Sequence, residues 1–147
     1  MDADGLLQFL RAHRVAVQAS VSASGEPQAA AVGVAFTDRF EIVFDTTEAT
    51  RKAANLRHNP RLAFVIGGAG RGEERTVQYE GIADEPRGAE LERLRQLYFA
   101  VYPDGPARMQ WPGIIYVRVK PTWIRYSDFT VDPPKIMEFT GQELARA

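Results

Sequence analysis

The chain contains no cysteine. That excludes a disulfide scaffold, a thiolate-ligated zinc or iron–sulfur centre and a cysteine nucleophile, so any redox role must come from a bound cofactor. An excess of one charge is missing too: 18 Lys and Arg stand against 19 Asp and Glu, for a formal charge of −1. No overall basic field draws the chain to nucleic acid; only a local patch could do so. Long apolar runs are also absent. The longest, Ala29 to Phe36, is far short of the ~20 residues that span a bilayer. Asp2 and Asp4 stand where a secretion signal carries positive charge. The expectation is a cytoplasmic protein with no membrane segment. No repeat recurs at solenoid or propeller periods. Low complexity is confined to Gly67–Gly72, and a dinucleotide- or phosphate-loop reading of it fails. Gly68 and Gly70 are spaced correctly, but Glu73 takes the third glycine position and no Gly-Lys-Ser/Thr follows. The run reads as a hairpin tip.

What is present is an ordinary single domain. The chain has 147 residues, 45% of them hydrophobic, and this size suffices to bury a core without staples. Residues 3–13 read as a helix capped by Asp2 or Asp4, with Leu6, Phe9, Leu10 and His13 on one stripe. The period then changes to two: Val15, Val17, Ala19 and Val21 alternate with Ala16, Gln18, Ser20 and Ser22, a half-buried strand. Gly25-Glu26-Pro27 turns the chain into a second strand, 28–36, and Thr37-Asp38-Arg39 into a third, 40–45. Short turns predict an antiparallel meander of these three. A helix follows over 48–57, stopped by Asn59-Pro60. Strands are predicted over 61–66 and 75–84, with Gly81 marking a bulge. A helix at 87–101 carries the stripe Leu91, Leu94, Leu97 and Val101. Strands 114–120 and 122–126 read as broken at Pro121, and residues 129–147 as an irregular tail with a turn at 142–146.

Strands and helices do not alternate throughout, which disfavours a parallel doubly wound sheet. Six or seven short antiparallel strands must close or cover their edges. The fold expected is mainly β with some α: an antiparallel barrel with peripheral helices over residues 1–128.

The chemistry concentrates in Asp45-Thr46-Thr47-Glu48-Ala49-Thr50-Arg51-Lys52. A strand ends there and a helix begins, with Arg51 and Lys52 in its first turns. Cations are misplaced at that end, where free N–H groups already carry positive charge; each costs a few tenths to about 1 kcal/mol. A bound anion reverses the sign. Free N–H groups, threonine hydroxyls and an Arg-Lys pair make a phosphate cradle. The same residues also read as a solvated helix start, with Thr46 or Thr47 as cap and Glu48 neutralising one cation. The neighbouring segment Gln28-Ala29-Ala30-Ala31-Val32-Gly33 is small and uncharged. It lets a flat ring approach the backbone, or it is taper in a barrel core.

Thr46, Thr50-Arg51-Lys52, Asn55-Leu56 and Asn59-Pro60-Arg61 together resemble the signature of the pyridoxamine 5′-phosphate oxidase-like flavin-binding split barrels. The resemblance spans roughly residues 4–128 and includes Gly25-Glu26-Pro27 and the stretch from Val77 to Gly81. It implies a split barrel in which Arg51 and Lys52 hold the FMN phosphate, assisted by Thr50. Asp45 and Thr46 would contact the cofactor through backbone. Ala30, Ala31 and Val32 would line the isoalloxazine edge, and Thr76 stands where relatives often carry a glutamine that touches the flavin. The resemblance also implies a homodimer with FMN at the subunit interface. Trp111 is the candidate contributed by the second chain; it reads equally as an amphipathic anchor at an interface or core edge.

Departures narrow the reading. The vitamin-synthesising oxidases carry an arginine at the position of Ala30 and a lysine near Ala35, both missing here. The arginine–histidine element that grips pyridoxal phosphate has no counterpart in Trp123-Ile124-Arg125-Tyr126-Ser127-Asp128. The expected function is therefore an FMN-dependent oxidoreductase of a small molecule, not pyridoxamine phosphate oxidation. The alternatives are a non-catalytic flavin or haem sensor or store, and a deazaflavin-dependent reductase. His13 and His58 fall at helix ends without further ligands nearby, which argues against a metal site. No Gly-x-Ser-x-Gly elbow supports a serine nucleophile.

Overall fold

A computed structural model describes residues 1–68 and 70–144. The predicted turn at 142–146 therefore lies partly outside the described residues. Helix α1 (Ala3–Ala12) opens the chain, with the Asp2 carboxylate accepting from the Gly5 N–H at 2.8 Å. Its Leu6 and Leu10 are fully buried and belong to the main hydrophobic core.

Among the described residues there are eight strands in one antiparallel sheet, run in the order β2-β1-β5-β6-β7-β4-β3, with β8 added to β7. Strands β1 (Val15–Val21) and β2 (Pro27–Gly33) form a hairpin, as do β3 (Ala35–Phe36) and β4 (Ile42–Thr47). The predicted second strand is thus two, parted at Val34, and the expected meander does not exist. Residues before Val34 pair with β1 at one end of the strand order; those after it pair with β4 at the other. One covalent crossover holds the two ends of a curled sheet together. Past that point, among the described residues, β2 has β1 as its one partner and β4 pairs on one side with β7 alone, and the barrel is split there.

Strands β5 (Arg61–Gly67) and β6 (Arg75–Asp84) form the hairpin behind the glycine run. The register between β6 and β7 shifts at Glu80/Gly81, the predicted bulge. Gly81 is required there: a Cβ would stand 2.6 Å from Lys120 O. Strand β7 (Ile114–Asp128) runs unbroken through Pro121, which corrects the expected interruption. Pro121 lies opposite Gly81 at the bulge, where a missing N–H is tolerated. Residues 129–147 are not simply an irregular tail: β8 (Lys135–Thr140) pairs with β7, and α5 (Gly141–Leu144) buries Leu144.

The core centres on Phe44, Phe64 and Tyr79, whose rings meet edge-on at 6.2 and 5.7 Å. The Tyr79 hydroxyl donates to Phe40 O at 2.8 Å, with Val119 O a second acceptor at 3.1 Å. A second apolar layer lies outside the sheet, where Leu94 and Tyr98 of α3 (Gly88–Val101) cover Ala35, Val43 and Tyr116.

Strand β1 carries the least expected detail. Its inward face is Ala16, Gln18 and Ser20, while Val15, Val17 and Val21 are exposed. The polar half of the alternation faces the core, and the apolar half faces out.

Candidate functional site

Helix α2 (Arg51–His58) follows β4 and lies against β1 beside the split. Thr50 caps it, its hydroxyl oxygen accepting from the Ala53 N–H at 3.3 Å while donating to Thr47 O at 2.9 Å. Thr46, itself buried, places its hydroxyl 3.0 Å from that of Thr50. The helix starts three residues later than the predicted residue 48, and the cap is neither Thr46 nor Thr47. Arg51 and Lys52 consequently occupy the first two helical positions, with no acidic residue in that turn. Glu48, expected to neutralise one of them, instead accepts from Arg57 at 3.1 Å, and Glu85 takes the same guanidinium at 2.9 Å. Among the described residues, Arg51 and Lys52 have no ion-pair partner.

The other end of α2 is fastened to the sheet by Asn55. Its Nδ2 donates to Ser20 Oγ at 3.0 Å and to Gln28 Oε1 at 2.6 Å. Between helix and hairpin lies a cavity of about 320 Å³ lined by Gln18, Ser20, Gln28, Ala29, Ala30, Arg51 and Lys52. Gln18 is 1% exposed and its Nε2 has no hydrogen-bond partner. A buried donor left unmade costs about 1–3 kcal/mol, so the cavity is built with a deficit that a ligand acceptor would offset. Two cations without an ion-pair partner among the described residues and a carboxamide with an unmade donor line one small space, and that set suits an anion.

The remaining predicted residues divide. Ala30 lies in the cavity with Arg51 and Lys52, and Val32 follows on the same face of β2, half-buried against the core. Ala31 alternates to the outer face, opposite Val17. Asp45 turns its side chain away, accepting from Arg108 Nε at 2.8 Å and from the Tyr98 hydroxyl at 3.2 Å, so its carboxylate is engaged elsewhere. Burial beside the Asp45 carboxylate pushes the Tyr98 phenol well above its ordinary range. Thr76 sits at the far end of the β5–β6 ladder, hydroxyl toward Ile66 O at 3.4 Å, and Trp111 is exposed just beyond the short helix α4 (Gly105–Arg108). Neither lines the cavity of this chain. Sequence reasoning missed Gln18 and Ser20, and read Gln28 only as part of a small, uncharged strand; the available signal was the polar half of the β1 alternation.

Residues 3–128 match the sequence model described as pyridoxamine 5′-phosphate oxidase. The chain belongs to that family. No curated protein matches its sequence. Among solved structures it is similar to a haem-binding protein from Mycobacterium smegmatis, at 20% identity and a TM-score of 0.84, with all of this chain aligned. It spans only 61% of that protein's length. The haem storage protein of Vibrio cholerae matches at 13% identity and a TM-score of 0.71, over 95% of this chain and 96% of its own. A pyridoxamine 5′-phosphate oxidase-related, FMN-binding protein from Nostoc punctiforme PCC 73102 matches at 15% identity and a TM-score of 0.70, over 94% and 86%. At these identities the likeness is one of fold: the family's split barrel with peripheral helices. No helix among the described residues is long and apolar enough to cross a membrane.

Proposed function

We propose that this member of the family binds FMN in the cleft between α2 and the β1–β2 hairpin and acts as an oxidoreductase on a small molecule. The observation that carries the reading is the convergence of unpaired Arg51 and Lys52 with the orphan Gln18 Nε2 on one cavity. Arg51 and Lys52 would hold the phosphate and Thr50 fixes the turn that presents them. The free edge of β2 at Ala30–Val32 and the backbone of Asp45–Thr46 would address the ring. Bound there, FMN supplies one- and two-electron chemistry that no side chain of a cysteine-free protein provides. The chain's own residues bind, orient and shield the cofactor. Pyridoxamine phosphate oxidation itself is disfavoured, because Ala30 replaces a cation and no histidine stands in the 123–128 segment.

The working unit in this reading is a homodimer. Val15, Val17, Val21 and Val65 form an exposed apolar row on the outer face of β1 and β5, the kind of patch that marks a protein interface. A second subunit would supply the cover that a single short barrel lacks, and Trp111 is the residue proposed to reach the partner's site.

Haem binding is the second reading, supported by the two haem-protein neighbours. The absorption spectrum of the protein as purified separates the two. FMN gives the flavin absorption bands, whereas haem gives an intense Soret band. Competitive binding of FMN against a deazaflavin cofactor decides between FMN and the deazaflavin reductases. Turnover of a reduced nicotinamide with any acceptor separates an enzyme from a store.

A further inference from the structure

Of the groups that meet in the cleft, Gln18 has not yet been matched to a part of the ligand. Gln18 is almost completely buried, faces the inside of the barrel, and stands opposite Ala30 in the β1–β2 register. Residue 30 brings only a methyl group to this face of the hairpin, and both residues line the cavity. The neighbouring polar groups are already engaged with one another: Asn55 donates to both Ser20 and Gln28. Gln18 Nε2 has no such partner among the described residues, and Gln18 lines the same cavity as Arg51 and Lys52.

We propose that Gln18 is the third, neutral donor to a phosphomonoester held by Arg51 and Lys52, and so a specificity residue for phosphorylated over unphosphorylated ligand. Charge supports this division of labour. A phosphomonoester carries close to two negative charges at neutral pH, and Arg51 with Lys52 balance them. A third cation in so small a space would lack a counter-charge in the free protein. A carboxamide adds directional N–H donors and no charge. It also has an energetic reason to be filled, because its donor is unmade until an acceptor arrives. The inference deepens the proposed FMN site and rests on that cleft taking a phosphate.

The test compares wild type with Gln18→Leu and Gln18→Glu, using FMN and riboflavin titrations followed by flavin fluorescence. Thermal unfolding of each apo-protein checks that it folds. Gln18→Leu removes the donor at similar volume; Gln18→Glu keeps the shape and introduces a carboxylate. The expected result is a loss of FMN affinity on the order of tenfold or more for Leu, larger for Glu, with riboflavin affinity unchanged for Leu. Equal losses for both flavins would overturn the assignment, placing Gln18 at the ring or ribityl chain. No loss for either would overturn it too. Inorganic phosphate provides a probe independent of flavin. The Gln18 side-chain amide signals, identified by their absence in Gln18→Leu, should move on titration with phosphate and not with chloride at matched ionic strength. If wild type binds no flavin but phosphate moves that amide, the FMN reading falls and the phosphate donor stands. If FMN binds and Gln18→Leu leaves the FMN-to-riboflavin ratio unchanged, the reverse holds.

Discussion

Asn55 Nδ2 lies 2.6 Å from Gln28 Oε1 and donates to it, tying helix α2 to the edge strand β2 across the split of the barrel. The same amide group reaches Ser20 on β1. One buried side chain therefore sets how far the helix that carries Arg51 and Lys52 stands from the strand that carries Ala30.

Asn55→Ala should lower stability by about 1–3 kcal/mol, because buried Ser20 and half-buried Gln28 lose their donor. Urea unfolding measures this. FMN affinity should fall as well, although Asn55 is not a lining residue, because the helix is no longer held at its spacing from β2. Asn55→Asp restores the shape without the donors and should rescue neither property.

Alkaline pH should weaken the fold through Tyr79. Its burial, with Glu41 nearby, holds the phenol well above its ordinary range in the native state. The unfolded chain ionises near pH ~10 while the native one does not, so stability is intact below that pH and declines as pH rises above it. Tyr98 and Tyr116 are shifted in the same direction by burial. Unfolding free energies measured at intervals from pH 8 to pH 11, roughly, should be flat and then fall. A flat profile to the upper limit would contradict this.

The valine row of β1 provides a test of assembly. Val17 is exposed and pairs across the sheet with Val65, also exposed. Val17→Asp should cost little in the fold of a single chain, because the position is not in the core. It should convert a dimer into a folded monomer, read by light scattering coupled to size exclusion, and lower FMN affinity with it. A monomeric wild type, or an unaltered dimer in the variant, would remove this face from the account.

Much of the fold was legible in the sequence because local signals agreed with tertiary ones. Asp2, the run Arg75–Asp84 and the Gly81 bulge are where expectation and structure coincide. Failures occurred where a long-range partner changes the meaning of a residue. Pro121 looks like a strand breaker until Gly81 lies opposite it. Val34 looks like the middle of a strand until its two sides are seen to pair at opposite ends of the sheet. The segment Lys135–Thr140 has a weak local pattern, and only the free edge of β7 makes it a strand. At the site, the Thr-Arg-Lys helix start was readable from its misplaced charges. Gln18 was not, because a glutamine among valines reads as the solvent side of a strand, and here that side is the inside.

Arg51 and Lys52 are the proposed phosphate anchor on which the FMN site rests. Both stand in the first turn of α2 with no acid beside them, a placement unfavourable by a few tenths to about 1 kcal/mol each when no anion is bound. The most direct measurement is a paired titration of wild type and Arg51→Ala/Lys52→Ala with FMN, with apo-protein thermal unfolding recorded alongside. The predicted result is a loss of FMN affinity of roughly two orders of magnitude or more, an apo-protein at least as stable as wild type, and little change for riboflavin. Unchanged FMN affinity in a folded double variant would contradict the account.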